Sequence, residues 1–392
     1  MIAVLPDASA AKPLYVMLVC QHGAEGAIKS AMAEQYPQSR FAFSRPGFLT
    51  FRIAEDEDAA PAFEPPPPLV RAWAYSIGRA DGAGDEERAA AVWELAKGYD
   101  IDCVHVFARD RAMVGDRGFE PGRDKHVAGV IAALKASNPC PKESPESLRE
   151  TTPTPPPEKP EDNAPGREGD EHRRIIRFGP ALRNQVALDI CLVEPDQWWV
   201  GVHEARSRAE RWPGGVPRLT PPADMVSRAW LKMSEAIAWS GFLMKDGARV
   251  IDVGSAPGGA SQAILERACE VIGIDPALPD ESVLSHSNYK HIRARARYAP
   301  HRELRKARWL VCDMNTAPTN TLDVVEDIVT AKDMAIRGAL ITLKLPSYDL
   351  LGEMPGWLDR VRGWGFNMVK ARQLAFNRQE ICVSGLKRPF RR

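Results

Sequence analysis

The sequence predicts two folds in one chain of 392 residues: a doubly wound α/β domain over 215–392 and, ahead of it, a smaller α+β region. Three observations carry this. From about residue 215, apolar strand-like runs alternate with helical patterns, as in a mostly parallel sheet, and the series closes on an antiparallel hairpin. At 249–259 the run Val250, Ile251, Val253 breaks into Gly254-Ser-Ala-Pro-Gly-Gly259, and a helical pattern starts at Ala260. That is a buried strand, a tight turn and a helix N-terminus. Upstream, by contrast, strands and helices alternate in short units with no long parallel series.

Taken in order, residues 12–64 read as a strand at 14–20, a helix at 24–34, and strand-like runs at 40–44 and 48–53 around Arg45-Pro46-Gly47. A proline run, Pro65 to Pro68, separates this piece from 70–205. There a strand at 72–77, a helix at 86–97, a strand at 103–109 and a helix at 126–135 precede strands at 185–193 and 198–204, joined by Glu194-Pro-Asp196. Between them, prolines and charges dominate 138–175 and apolar residues nearly vanish. Such a stretch buries too little surface to offset its ordering entropy, so a disordered insertion is expected. The C-terminal domain reads as a helix at 225–239, the strand and turn at 249–259, a helix at 261–268 and a strand ending at Asp275. Further strands end near Arg293, at Asp313 and at Lys344, with helices at 322–337 and 354–363 and a hairpin of 366–376 with 380–386.

Composition narrows the class. The hydrophobic fraction of 44% suits a soluble globular protein, and no apolar run approaches the roughly 20 residues of a membrane span. Residues 1–12 lack the basic start of a secretory leader. Seven cysteines are dispersed without Cys-x-x-Cys spacing, which argues against a disulfide framework and a zinc site. Cys20, Cys103, Cys191 and Cys382 fall in apolar runs and are expected as core thiols. A cytoplasmic, membrane-free protein without metal is expected, with a monomer favoured. The net charge of zero hides a basic segment at 290–308, where Arg293, Arg295, Arg297, Arg302 and Arg305 face the single acid Glu303. This suits phosphates and points to a nucleic-acid partner, with a solvated charged face as the plainer alternative.

The glycine turn carries the first chemistry. Gly254, Gly258 and Gly259 let the backbone pass close to a ligand, and Asp252 ends the strand before them. About twenty residues on, Val271-Ile-Gly-Ile-Asp275 is a second strand ending in an acid, placed for ribose hydroxyls. The pair reads as a nucleoside-cofactor site. The spacing is not Gly-x-Gly-x-x-Gly, and no Gly-Lys-Ser/Thr follows, so a dinucleotide and a P-loop are disfavoured.

In doubly wound sheets, function collects at the carboxyl ends of the strands. Asp313 and Lys344 end apolar strands, Glu380 opens the last one, and Lys232 lies in the helix before the turn. Singly, each has a dull explanation as a strand cap or surface charge. Together with Gly254-Ser-Ala-Pro-Gly-Gly259, the order Lys, Asp, Lys, Glu resembles the FtsJ-like RNA ribose 2′-O-methyltransferases. Pro217-Arg-Leu219, Ser227-Arg228, Val311-Cys-Asp-Met314, Leu343-Lys-Leu-Pro346 and Arg378-Gln-Glu380 are similar to the large-subunit ribosomal RNA methyltransferase M family within it. The resemblance implies a Rossmann-like class I methyltransferase domain. It implies S-adenosylmethionine held by Asp252, Gly254, Ser255, Ala256, Pro257, Gly258, Gly259, Asp275 and Asp313. It also implies a catalytic Lys232, Asp313, Lys344 and Glu380, with Lys344 as general base.

Further implications are a ferredoxin-like piece and a THUMP RNA-binding module ahead of the catalytic domain, and a cytidine of 23S ribosomal RNA as substrate. RNA contacts would fall to Arg228 and the 290–308 arginines. Crowding of Lys344 by Lys232 is expected to lower its pKa. The chain departs from the family in Ala260, where an aromatic is usual, and in Arg293-Ala-Arg-Ala-Arg297, where an acid usually meets the adenine. A 2′-O-methyltransferase of another RNA (cap or tRNA) and a non-catalytic RNA-binding ribosome assembly factor that keeps the cofactor remain open alternatives.

Overall fold

A computed structural model describes residues 13–53, 63–117, 119–139 and 176–387. The insertion expected at 138–175 lies, from residue 140 on, outside the described residues. Two sheets organise the chain.

The first contains β1 (Tyr15–Val19), β2 (Arg40–Arg45), β3 (Phe48–Arg52), β4 (Ala72–Ala80), β5 (Cys103–Ala108), β6 (Arg177–Phe178), β7 (Val186–Glu194) and β8 (Gln197–Glu204). Helices α1 (Glu25–Gln35), α2 (Asp85–Leu95) and α3 (Val127–Ala136) pack on it. Its order, β2-β3-β1-β4-β8-β7-β5-β6, runs through both pieces expected as separate modules, 12–64 and 70–205. The joint is β1, antiparallel to β3 on one side and to β4 on the other. Val16, Met17, Leu18 and Val19 are all buried, so β1 has no water-facing side and belongs mid-sheet. The alternating patterns of its neighbours gave no sign of this join.

Three buried polar side chains lie across β5, β7 and β8. Asp189 accepts from His105 Nδ1 at 3.2 Å and from His203 Nδ1, while His203 Nε2 donates to the Glu210 carbonyl at 2.8 Å. Burial disfavours the His203 charge, but Asp189 more than offsets this and takes its pKa up to about 9. With both ring nitrogens donating, His203 has no lone pair for a metal. The trio is a buried ion pair with His105 beside it.

The second sheet contains β9 (Arg249–Val253), β10 (Glu270–Ile274), β11 (Tyr289–Ile292), β12 (Trp309–Cys312), β13 (Gly338–Lys344), β14 (Met368–Arg372) and β15 (Glu380–Leu386). It is covered by α4 (Ala229–Ser240), α5 (Gly259–Leu265), α6 (Glu281–Leu284), α7 (His301–Leu304), α8 (Pro318–Thr330) and α9 (Met354–Gly363). The order is β11-β10-β9-β12-β13-β15-β14, parallel except for β15. This is the doubly wound sheet with an antiparallel hairpin that the sequence predicts. From β9 the chain first runs outward through β10 and β11 and then crosses to β12 on the other side, which opens a crevice between β9 and β12 at the carboxyl edge. The helix expected at 322–337 starts earlier and stops earlier. Pro318 takes its first turn, where a missing N–H costs nothing, and Ala331 is extended. The described cysteines, six in number, are all buried and free. Among the described residues no helix is long and apolar enough to cross a membrane.

Candidate active site

Asp252, Asp275 and Asp313 come together where β9, β10 and β12 end. Asp252 is fully buried, and its Oδ2 accepts from Ser261 Oγ at 2.6 Å while its Oδ1 has no partner. Burial, reinforced by the charges of Asp313 and Asp275 and opposed by the Ser261 hydroxyl, pushes its pKa up to about 7. Asp275 Oδ2 accepts from the Ala256 amide at 3.2 Å, which ties the second strand's acid to the turn. Three mutually repelling carboxylates and one orphaned buried oxygen suit a cationic ligand; S-adenosylmethionine carries an ammonium and a sulfonium. The residues therefore fit the cofactor the resemblance implies.

The glycines have a further reason than the one the sequence suggested. Gly254 and Gly258 have φ of +80° and +118°, which side chains rarely adopt. A Cβ at Gly258 would meet Val283 at 2.9 Å, and one at Gly259 would meet Ser227 Oγ at 2.2 Å. The close approach is between the turn and its own protein neighbours, and it draws the segment before α4 onto the turn.

Lys232, Asp313, Lys344 and Glu380 form a closed ring. Lys232 Nζ lies 2.6 Å from Asp313 Oδ2 and 3.0 Å from Glu380 Oε1. Lys344 Nζ lies 2.7 Å from Asp313 Oδ1 and also bonds Glu380 Oε2. The topology explains the meeting. β12 and β13 run parallel toward the same edge, β13 reaching three residues further to Lys344, and β15 runs back from there, so that Lys344 pairs with Glu380 across the ladder. Lys232 enters from the first turns of α4, whose buried face carries Trp230, Met233 and Ile237.

The ring overturns one expectation. Burial alone would lower the Lys344 pKa, but the two carboxylates more than offset it and hold it above the ordinary lysine value. Asp313 is shifted the other way: burial raises it, and the two ammonium groups outweigh this to hold it below the usual carboxylate range. Lys232 does not crowd Lys344, because a carboxylate stands between them at every corner. The ring at rest is neutral, with Lys344 protonated.

A cleft of about 610 Å³ opens over the ring, lined by Arg228, Asn315, Pro346, Phe376 and Arg378 among others. Sequence reasoning assigned no role to Phe376, Arg378 or Asn315. They sit on the turn between β14 and β15, or beyond Asp313, where no periodicity marks them. Glu235, with Ala236, belongs to the entry segment that resembles the family, but its role was not legible in the sequence. It is an acid on the apolar face of α4, and that pattern was the available signal. Its carboxylate is fully buried and accepts from the amides of Ala375 at 2.8 Å and Phe376 at 3.0 Å. From the first sheet, Gln21 Nε2 donates to the carbonyls of Leu374 at 2.7 Å and Asn377 at 2.6 Å.

The 290–308 arginines are not brought to the ring. Arg293, Arg295, Arg297 and Arg302 are exposed along the crossover that leads from β11, at the far edge, back to β12, and none of them lines the cleft. Arg305 pairs with Asp333 at 2.8 Å. Of the arginines named from sequence, Arg228 alone lines the cleft.

Part of the chain resembles known proteins. The family model described as FtsJ-like methyltransferase matches residues 225–346, which include Lys232, Asp313 and Lys344. The ribosomal RNA large subunit methyltransferase M of Azotobacter vinelandii is 30% identical over 184 residues, 43% of this chain and 50% of its own. That of Halorhodospira halophila is 32% identical over 182 residues, 44% and 51% respectively. The chain spans about half the length of these curated relatives. Among solved structures, TrmN of Thermus thermophilus aligns over 95% of this chain and 99% of its own, at 13% identity and a TM-score of 0.34. Residues 225–346 thus match the FtsJ-like methyltransferase family, in a chain similar to the ribosomal RNA large subunit methyltransferases M.

Proposed function

We propose that the chain is an S-adenosylmethionine-dependent RNA 2′-O-ribose methyltransferase, with a cytidine of 23S ribosomal RNA as its substrate. The observation that carries this is the closed Lys232–Asp313–Lys344–Glu380 ring beside the glycine turn. The FtsJ-like match and the names of the relatives support it.

When bound, the cofactor supplies an electrophilic methyl on a sulfonium. The chain's residues have three tasks. The turn at 254–259, with Asp252 and Asp275, holds the ligand and balances its charge. Lys344 Nζ takes the proton of the ribose 2′-hydroxyl as the new O–CH₃ bond forms and the S–CH₃ bond breaks. Lys232, Asp313 and Glu380 fix that nitrogen in place.

Lys344 must first be neutral, and its raised pKa works against this. A cation beside Asp313 eases the problem. The carboxylates then no longer rest on the two lysines alone, and loss of the Lys344 proton leaves less uncompensated charge. The rate is therefore expected to rise with pH on the alkaline side. The first region, joined to the ring through Gln21, would present RNA to it. The test is nucleoside analysis of ribosomal RNA after incubation with cofactor. A 2′-O-methylcytidine supports the reading, and methylation only on a base overturns it.

A further inference from the structure

Beside the cleft over the ring lies a second cavity of about 280 Å³. Arg228 and Phe376 line both, so the two spaces are neighbours. The walls of the second come from both regions of the chain. Phe119 and Pro121 belong to the loop between β5 and α3, while Pro217, Leu231 and Phe376 belong to the catalytic region. Phe119, Leu219, Leu231 and Phe376 give the cavity its apolar and aromatic wall; Asp116, Glu120 and Arg123 charge its loop side, and Arg228 charges the side shared with the ring.

That shared side is built in an unusual way. A Cβ at Gly115 would lie 2.7 Å from Arg378 Nη2 and 2.8 Å from Arg228 Nη1, so the loop backbone rests against both guanidinium groups. Gly115 has φ +111°, a conformation that side-chain-bearing residues rarely adopt. Neither arginine forms a salt bridge among the described residues. Burial first, and Arg378 second, lower the Arg228 pKa, with Glu380 in partial opposition. Arg228 is half-buried and Arg378 exposed, and the two guanidinium groups stand side by side at the cleft, where neighbouring positive charges call for an anion. A phosphodiester beside a ring that acts on ribose meets that need. A slot lined by two aromatic rings and bordered by such an anion site is the setting in which single-stranded bases stack.

We propose that a nucleotide of the RNA substrate is gripped between the two regions, with its phosphate on Arg228 and Arg378 and its base in the slot lined by Phe119 and Phe376. This rests on the RNA methyltransferase reading above. It makes the β5–α3 loop a wall of the active site, so specificity is shared by both regions.

The test is a coupling measurement on the full chain. Fluorescein-labelled RNA pentanucleotides, intact or abasic at the central position, are titrated by anisotropy against the parent, Phe119→Ala, Phe376→Ala and Arg378→Ala. The parent should bind the intact RNA about tenfold more tightly than the abasic one, and Phe119→Ala should abolish that preference. Arg378→Ala should weaken both RNAs alike and flatten the salt dependence by about one phosphate contact. Phe119 lies on a surface loop, so its variant remains decisive if Phe376→Ala fails to fold. Cofactor affinity near that of the parent serves as the control.

Equal binding of intact and abasic RNA by the parent, or a preference untouched by Phe119→Ala, overturns the slot. If the parent still yields a 2′-O-methylnucleoside in that case, the enzymatic reading stands without it. If the base preference depends on Phe119 but no methyl is transferred, the slot stands and the enzymatic reading falls.

Discussion

Two turns flank the Lys232–Asp313–Lys344–Glu380 ring, and they are held by opposite means. The turn at 254–259 is fixed from close by: Gly254 donates to the Ile274 carbonyl at 2.9 Å and Ala256 to Asp275 at 3.2 Å, both on the adjoining strand. The turn at 373–379 is fixed from far away. Glu235 in α4 caps its amides, Gln21 in the first region holds two of its carbonyls, and Gln373 donates to the Pro68 carbonyl at 2.9 Å. The cofactor side is thus a local device that any such domain could carry. The substrate side depends on the first region being in place. Binding of cofactor and presentation of RNA should therefore fail separately.

The largest effect should come from Glu235→Ala. It leaves two buried amides unpaired, which should cost roughly 3 kcal/mol in chemical denaturation. Methyl transfer should fall at least tenfold while calorimetric cofactor affinity stays near the parent's. An equal loss of both would break the comparison, because the two turns would then be one unit. Gly258→Ala is the mirror image. Its φ and the Val283 contact predict about 2 kcal/mol of strain, with cofactor affinity lost and RNA affinity kept.

Gln21→Ala probes the link between regions. Loss of its two bonds should cost about 1.5 kcal/mol and lower kcat, leaving cofactor affinity intact. A lowered cofactor affinity here would show that the first region supports both turns.

The smallest effect sharpens the cofactor side. Asp252 titrates at about 7, above its ordinary value, so it is mostly neutral at pH 6 and mostly ionised at pH 8. A cationic ligand favours the ionised form. Cofactor affinity should therefore rise roughly tenfold from pH 6 to pH 8, and Asp252→Asn should remove the slope. An unchanged slope in that variant would assign it to another group.

The same contrast explains what the sequence disclosed. The glycine turn, Asp275 and the three strand-end members of the ring were legible, because an apolar run ending in an ionisable residue places that residue at the edge of a doubly wound sheet. Lys232 was found only through the company it keeps. What stayed hidden depends on contacts between distant residues. β1 joins two apparent modules through pairings that its own residues do not announce. Phe376, Arg378 and Gly115 lie in irregular loops that carry no period. The direction of the Lys344 shift was misjudged because charge order along the chain says nothing of charge order around a ring. The 290–308 arginines stood out by composition, yet they lie along the crossover from β11 to β12 and do not line the cleft.

The central claim is that Lys344 accepts the ribose proton inside the ring. Single-turnover methyl transfer by Lys344→Arg, set beside Lys344→Ala, tests it most directly. Both should bind cofactor nearly normally, and both should lose at least about 10²-fold in rate, because a guanidinium keeps the charge but cannot take up a proton. Substantial 2′-O-methylation by Lys344→Arg would contradict the account and reduce the ring to a device for positioning.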